Sequence, residues 1–144
     1  MQSSTSAFCW PCYRRKVASA LLLMICATAQ PLTPMLRRLF KSHDQHLERN
    51  DIHAAMGAMQ RATRLQPDFA GAWLNLGLAQ WSAGRAEEAV DSCQRAAVAD
   101  PTTDDAYVDL GYFLTIMQDE RALVMYQKAE HIDPNSGENL LALG

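Results

Sequence analysis

The cysteine residues are the first candidates for chemistry, because two of them have the spacing of a redox pair. Cys9 and Cys12 are separated by two residues, an arrangement that can cycle between a dithiol and a disulfide. Such a centre lies between a strand and a helix of a compact fold, and the eight residues before Cys9 are too few to build one. We therefore assign both cysteines, with Cys26, to an N-terminal leader. For Cys93 we expect a buried, unreactive thiol.

A group of histidine and acidic residues raises the question of a metal site. His43 and His46 are three residues apart and would share one face of a helix, which suits two ligands of one ion. The sequence defines no third ligand, and two such histidines usually form a polar surface. We therefore predict no metal site and no cofactor. The residues considered are His43, Asp44, His46, Glu48, Asp51 and His53.

The remaining sequence contains no combination of residues typical of catalysis. It has no nucleophile paired with a base and no glycine-rich phosphate loop, so we predict that the chain itself is not an enzyme. Its charge excludes one class of partner. Residues 68–144 carry thirteen acidic and four basic side chains, and such an acidic body would repel the phosphate backbone of a nucleic acid.

The elements that would position a binding surface recur every 33 or 34 residues, as Pro67, Pro101 and Pro134 show. Within the unit 70–103, apolar and small residues have helical spacing, which breaks around Gly84 and then resumes. Each unit therefore predicts two amphipathic helices joined by a turn. Further recurrences in the same register are Ala55, Ala89 and Ala122, then Ala62, Ala96 and Ala129, then Gln60, Gln94 and Gln127, and finally Arg61, Arg95 and Lys128.

The second unit carries the residue pattern of a known repeat family. The matching residues are Trp73, Leu76, Gly77, Ala89, Cys93, Ala96 and Pro101. On these residues the chain resembles the tetratricopeptide-repeat (TPR) proteins. The resemblance implies an all-α, right-handed solenoid of antiparallel helix pairs, in which neighbouring units stack to bury their faces. It covers about three repeats and a truncated fourth, at 36–69, 70–103, 104–136 and 137–144.

Two units depart from this pattern. In the first unit Ser42-His43 replaces the Leu-Gly pair, as is common for an end repeat. Its first helix is expected to start at Thr33-Pro34, because threonine caps helices and proline suits the first helical position. In the third unit, we expect the turn at Gln118-Asp119 to be one residue shorter than in the second. In the second unit, Gly84 is expected to take the left-handed conformation.

Residues 1–29 have the features of a targeting segment. Arg14-Arg15-Lys16 precedes a long uncharged run that ends in Ala27-Thr28-Ala29, a small-residue motif typical of signal cleavage. We predict cleavage after Ala29, a linker at 30–35, and a location in the secretory pathway, the periplasm or outside the cell. The alternatives are an organelle-targeting sequence and an uncleaved membrane anchor, although a bilayer span needs roughly 20 apolar residues. Contact with a membrane is predicted only through this segment.

The resemblance also implies where a ligand binds. In this family the first helix of each unit lines a concave groove that holds peptide segments. The groove positions of the second and third units are apolar with acidic points, which suits a segment carrying basic and apolar or aromatic residues. Trp81 and Tyr112 are the candidate anchors. The predicted peptide-binding residues are Leu74, Asn75, Leu78, Trp81, Asp105, Val108, Asp109 and Tyr112.

One binding mode of the family fits this sequence poorly. It is the carboxylate clamp, which holds C-terminal Glu-Glu-Val-Asp peptides with basic and asparagine side chains. Only Asn75 matches the clamp. Phe40 and Asp44 stand at its first-repeat places, and Asp105 and Asp109 stand where basic residues are needed. We expect such peptides to be repelled.

These observations predict a non-catalytic scaffold that binds a protein segment in its concave groove. The alternative is the N-terminal, substrate-recruiting arm of a larger enzyme of the glycosyltransferase or sulfotransferase type, with its catalytic domain beyond Gly144. A third prediction, self-association, follows from the leucines within 140–143, because no second helix in this sequence would cover them. Since solenoids need a polar end, we expect the natural chain to continue past Gly144.

Overall fold

The computed structural model describes residues 32–134, which form six helices and no strand. The predicted leader with its cleavage site, and the partial fourth unit at 137–144 with its leucines, lie outside the described residues. The helices are α1 (Pro34–Glu48), α2 (Ile52–Leu65), α3 (Ala70–Ser82), α4 (Ala86–Ala99), α5 (Asp104–Ile116) and α6 (Ala122–Ile132).

The helices pack in sequential pairs. The most extensive contacts lie within the pairs α1/α2, α3/α4 and α5/α6, and contacts of α2 with α3 and of α4 with α5 join one pair to the next. Equivalent positions of the second helices show this stacking. Met56 and Val90 are buried where the following pair packs, whereas Leu123 in the last described pair is 55% exposed. The predicted all-α solenoid of helix pairs is confirmed.

In the second and third pairs, the close contact between the two helices depends on a glycine in the first helix. A Cβ atom added to Gly77 would lie 2.7 Å from the Sγ atom of Cys93 and 3.1 Å from the carbonyl oxygen of Ala89. In the third pair, a Cβ atom on Gly111 would lie 2.7 Å from the ring of Tyr126. The Leu-Gly recurrence therefore marks the place in α3 and α5 where the facing helix leaves no room for a side chain.

The turns inside the three pairs are alike, although only one contains glycine. Gly84 has a φ angle of 77°, as predicted, and Asn50 and Gln118, each 34 residues away in sequence, both have 58°. In each turn the next backbone N–H donates to a carbonyl five residues earlier, for example from Asp119 to Leu114 over 2.8 Å. This is the bonding that ends a helix with a left-handed residue.

The third repeat is one residue shorter than the second, and this residue is missing after the turn and not within it. The turn at Gln118 keeps the conformation and the hydrogen bonds of the turn at Gly84. The second helix, in contrast, starts later: α6 begins three residues after Asp119, whereas α4 begins directly after Arg85. The Asp119 carboxylate accepts a bond of 2.9 Å from the backbone N–H of Arg121 in place of the missing helical turn. The predicted shortening at Gln118-Asp119 was thus misplaced.

The first pair keeps this architecture without its sequence motif. Helix α1 begins at Pro34, as predicted from Thr33-Pro34, and so extends into the predicted linker at 30–35. His43 stands at the place of Gly77, and its side chain is buried. Because the turn at Asn50 matches the later turns, α1 occupies the register of α3 and α5.

Basic residues that recur in the second helices cover aromatic rings of the first. The guanidinium of Arg95 lies 5.1 Å from the centre of the Trp73 ring, and the ammonium of Lys128 lies 5.7 Å from the centre of the Tyr107 ring. These are cation–π contacts. The Trp73 indole N–H also donates to the carbonyl oxygen of Pro67 over 2.7 Å, which ties the second repeat to the first.

We predict opposite effects for two helical glycine substitutions. Gly77→Ala should destabilise the protein by about 1–3 kcal/mol, because the new methyl group would press on Cys93 and backbone atoms that cannot move aside. Gly57→Ala, where no atom lies within 4 Å of the new Cβ, should stabilise it by about 0.5–1 kcal/mol through helix propensity. Urea denaturation of both variants measures the difference. Equal effects of the two substitutions would contradict the close approach.

Candidate functional site

The predicted binding residues lie on α3 and α5 and differ in accessibility. Leu74 and Asn75 are buried, with 6% and 7% of their surfaces exposed. Asp105 is exposed. The others, which are partly buried and so offer part of their surface to a ligand, are Leu78, Trp81, Val108, Asp109 and Tyr112.

Trp81 and Tyr112 meet across the boundary between the second and third repeats. Their ring centres are 6.2 Å apart in an edge-on arrangement. Phe113, which sequence reasoning did not select, stacks on Trp81 with ring centres 4.2 Å apart and planes at 12°. Because Phe113 is only 1% exposed, Trp81 packs against the core as well as bordering the predicted groove. In the sequence, the only sign that Phe113 belongs with Trp81 and Tyr112 was its position next to Tyr112.

Asn75 is the unusual polar residue of this surface. The residue is buried, with 7% of its surface exposed, and within residues 32–134 its amide makes no hydrogen bond. Leaving a buried amide unbonded costs about 1–3 kcal/mol, and such groups in native structures call for an explanation. A hydrogen bond to a bound ligand is one that fits its place on the predicted groove.

Gln80, on the same helix, shows the ordinary arrangement. It is as deeply buried as Asn75, but its Oε1 atom accepts a bond of 2.6 Å from the Ser92 hydroxyl. Its Nε2 atom donates to a Glu88 carboxylate oxygen over 3.4 Å, and Arg85 donates to the other oxygen of that carboxylate over 2.7 Å. The structure thus satisfies one buried amide of α3 and leaves the other unbonded.

Asp109 contributes negative charge close to two buried side chains. Burial, assisted by the Asp109 carboxylate, raises the pKa of the Cys93 thiol well above its ordinary value. Burial also raises the pKa of Tyr126, and the charge of Asp109 adds to this effect. Cys93 is therefore the buried, neutral thiol that the sequence predicted.

The histidine side chains in the second half of α1 lie close to neighbouring carboxylates. The Nδ1 atom of His43 lies 3.3 Å from the Asp44 carboxylate, and that of His46 lies 3.9 Å from Asp51. Asp51 also accepts a bond of 3.1 Å from the backbone N–H of Ala54 and so caps α2. Among residues 32–134, no three ligand-type side chains are grouped to hold a metal ion. None of the helices in this range is long and apolar enough to cross a bilayer.

Comparison with known proteins identifies the repeat. Residues 44–103 match the family model described as tetratricopeptide repeat. No curated protein matches the chain significantly by sequence. The TPR domain of Sgt2 from Aspergillus fumigatus superposes with a TM-score of 0.72 at 24% identity, covering 77% of this chain and 76% of that one.

Two further solved structures share the fold. The first TPR domain of Spaghetti (RPAP3), bound to the HSP90 peptide SRMEEVD, has a TM-score of 0.70 at 17% identity over 75% of this chain and 89% of that one. A mutant O-GlcNAc transferase from Thermobaculum terrenum has a TM-score of 0.66 at 23% identity over 76% of this chain but 22% of that one.

We predict that Cys93 stays unmodified in the folded protein. Because burial keeps its pKa high, very little thiolate forms at neutral pH and the alkylating reagent cannot reach it. Iodoacetamide treatment of the full chain, followed by peptide mass analysis, should find Cys93 unlabelled in buffer and labelled in concentrated urea. Rapid labelling in buffer would contradict the burial.

Proposed function

Because the chain is a TPR protein, we propose that it is a non-catalytic scaffold that holds an extended protein segment along the first helices of its repeats. The single observation that carries this proposal is the Asn75 amide, which is buried and makes no hydrogen bond within the described residues. A peptide backbone crossing α3 would satisfy it. Peptide recognition commonly combines such backbone bonds with pockets for side chains.

The side chains around Asn75 set the chemistry of the segment. Leu78 and the open edges of Trp81 and Tyr112 would receive apolar or aromatic groups, and Asp105 and Asp109 would attract basic ones. The proposed partner therefore carries both kinds of residue next to α3 and α5.

We propose that this ligand differs from the SRMEEVD peptide bound by the Spaghetti domain. Phe40 stands at one of the clamp's first-repeat places, where it is buried and packs edge-on against Phe69 at 5.6 Å. Asp105 and Asp109, at the third-repeat places, would repel the carboxylates of such a peptide. A micromolar dissociation constant for SRMEEVD that depends on its free C-terminal carboxylate would overturn this part of the proposal.

The alternative, a substrate-recruiting arm of a glycosyltransferase or sulfotransferase, is favoured by one observation. The O-GlcNAc transferase contains a matching array that forms a minor part of its chain. Both proposals require a peptide-binding groove, and they differ in what else the polypeptide carries. A reading frame that continues past Gly144 into a catalytic domain would select the alternative, and a stop codon there would select the scaffold.

We predict that two buried amides of α3 respond oppositely to replacement by leucine. Asn75→Leu should preserve or raise the melting temperature, because it removes an unbonded amide. It should weaken binding of a groove peptide by about 1–3 kcal/mol, because the ligand loses its partner. Gln80→Leu should lower the melting temperature and leave peptide affinity unchanged, because its bonds to Ser92 and Glu88 are internal.

The experiment uses peptides selected on the immobilised full chain from a displayed random library, with affinities measured by fluorescence anisotropy and stabilities by thermal denaturation. A selection that yields no binder, or binders that Gln80→Leu weakens more than Asn75→Leu, would contradict the proposed groove.

A further inference from the structure

The basic side chains of the first repeat differ from all those that follow in the described chain. Six of them are exposed, and none makes an ion pair or a hydrogen bond within residues 32–134. In the later repeats Arg85, Arg95 and Arg121 pair with carboxylates, and Lys128 covers a tyrosine ring. The six are Arg37, Arg38, Lys41, Arg49, Arg61 and Arg64.

Two of these six lie at groove positions. The matching turns at Asn50, Gly84 and Gln118 fix the register of the first helices at 34 residues. In that register Arg37 is equivalent to Gly71 and Asp105, which the sequence pattern places on the groove.

By the same count Lys41 is equivalent to Asn75 and Asp109. Arg38, in contrast, is equivalent to Ala72 and Ala106, which are fully buried in the later repeats, so it lies on a different face of α1 from the groove positions.

The groove positions therefore change charge from one repeat to the next. Arg37 and Lys41 are basic in the first repeat, the equivalent residues of the second are uncharged, and Asp105 and Asp109 are acidic in the third. We propose that the groove is bipolar and selects a segment with acidic residues over the first repeat and basic residues over the third. This inference rests on the proposed function and adds to it the charge pattern and orientation of the ligand.

The dimensions of the fold set the spacing of these charges. Packed helices lie about 8–10 Å apart. Taking about 10 Å for each repeat, the first helices of the first and third repeats are separated by about 20 Å. An extended chain advances about 3.3 Å per residue. The acidic and basic groups of the ligand should therefore be about six residues apart.

The change from basic residues in the first repeat to acidic residues in the third would act mainly on the specificity of binding. An exposed charge pair adds little affinity, but like charges placed against each other discriminate strongly between partners and between orientations. A segment bound in reverse would place its basic end on Arg37 and Lys41 and its acidic end on Asp105. The unpaired Asn75 amide between them would hold the backbone in both cases, so the charges would decide the direction.

The test uses the full chain and a displayed library of random peptides about twelve residues long, about twice the expected spacing. Enriched peptides should carry an acidic and a basic residue about six positions apart. The double variant Arg37→Gln/Lys41→Gln should weaken them about two- to thirtyfold. The matched control, Arg61→Gln/Arg64→Gln, removes the same charge from α2 of the same repeat and should leave affinity unchanged.

A peptide with its acidic residue replaced by the amide should bind the wild type and the Arg37→Gln/Lys41→Gln variant equally, which assigns the contact to that end. Asp105→Asn should give the corresponding result for the basic end. Two results would overturn the bipolar groove while leaving a peptide-binding groove in place: enriched peptides without the acidic end, or an equal loss in the α2 control. Peptides whose affinity does not change in the Asn75→Leu variant would overturn both the bipolar groove and the proposed peptide-binding groove.

Discussion

The close approach of the Gly77 backbone to Cys93 fixes how the two helices of the second repeat pack. It leaves no room for a side chain on α3 at Gly77, and the ring of Tyr126 fills the equivalent space beside Gly111 one unit later. A helix pair built in this way has faces that it cannot bury alone. The burial of Met56 and Val90, beside the exposure of Leu123, shows that each pair depends on the next. Stacking then places each first helix against the second helix of the preceding pair.

Most buried polar side chains of the second repeat have partners within the described residues, and one does not. Gln80, Ser92 and Glu88 bond to one another, and Arg95 and Lys128 lie over aromatic rings. Asn75 is as deeply buried as Gln80 but has no such partner within residues 32–134. The difference in hydrogen bonding between these two amides of one helix supports the proposal that a bound segment completes the scaffold.

Sequence periodicity predicted the fold well because the features that specify it are local. Pro67 and Pro101 follow the ends of helices, and Gly84 takes a left-handed conformation. These roles could be predicted from the residue types alone. The left-handed conformations of Asn50 and Gln118 were not predicted, because neither residue type requires a positive φ. The deletion in the third repeat was therefore misplaced. The roles of Arg95 and Phe113 depend on contacts between helices, which spacing alone does not give.

The candidate site was only partly predictable for the same reason. Register identified Asn75, but its lack of a hydrogen bond depends on every neighbour that could have supplied one. If the first helices form one binding surface, amide chemical-shift mapping of the isotopically labelled full chain with a selected peptide should show the largest shift changes on α1, α3 and α5. Changes concentrated on α2, α4 and α6 would contradict it.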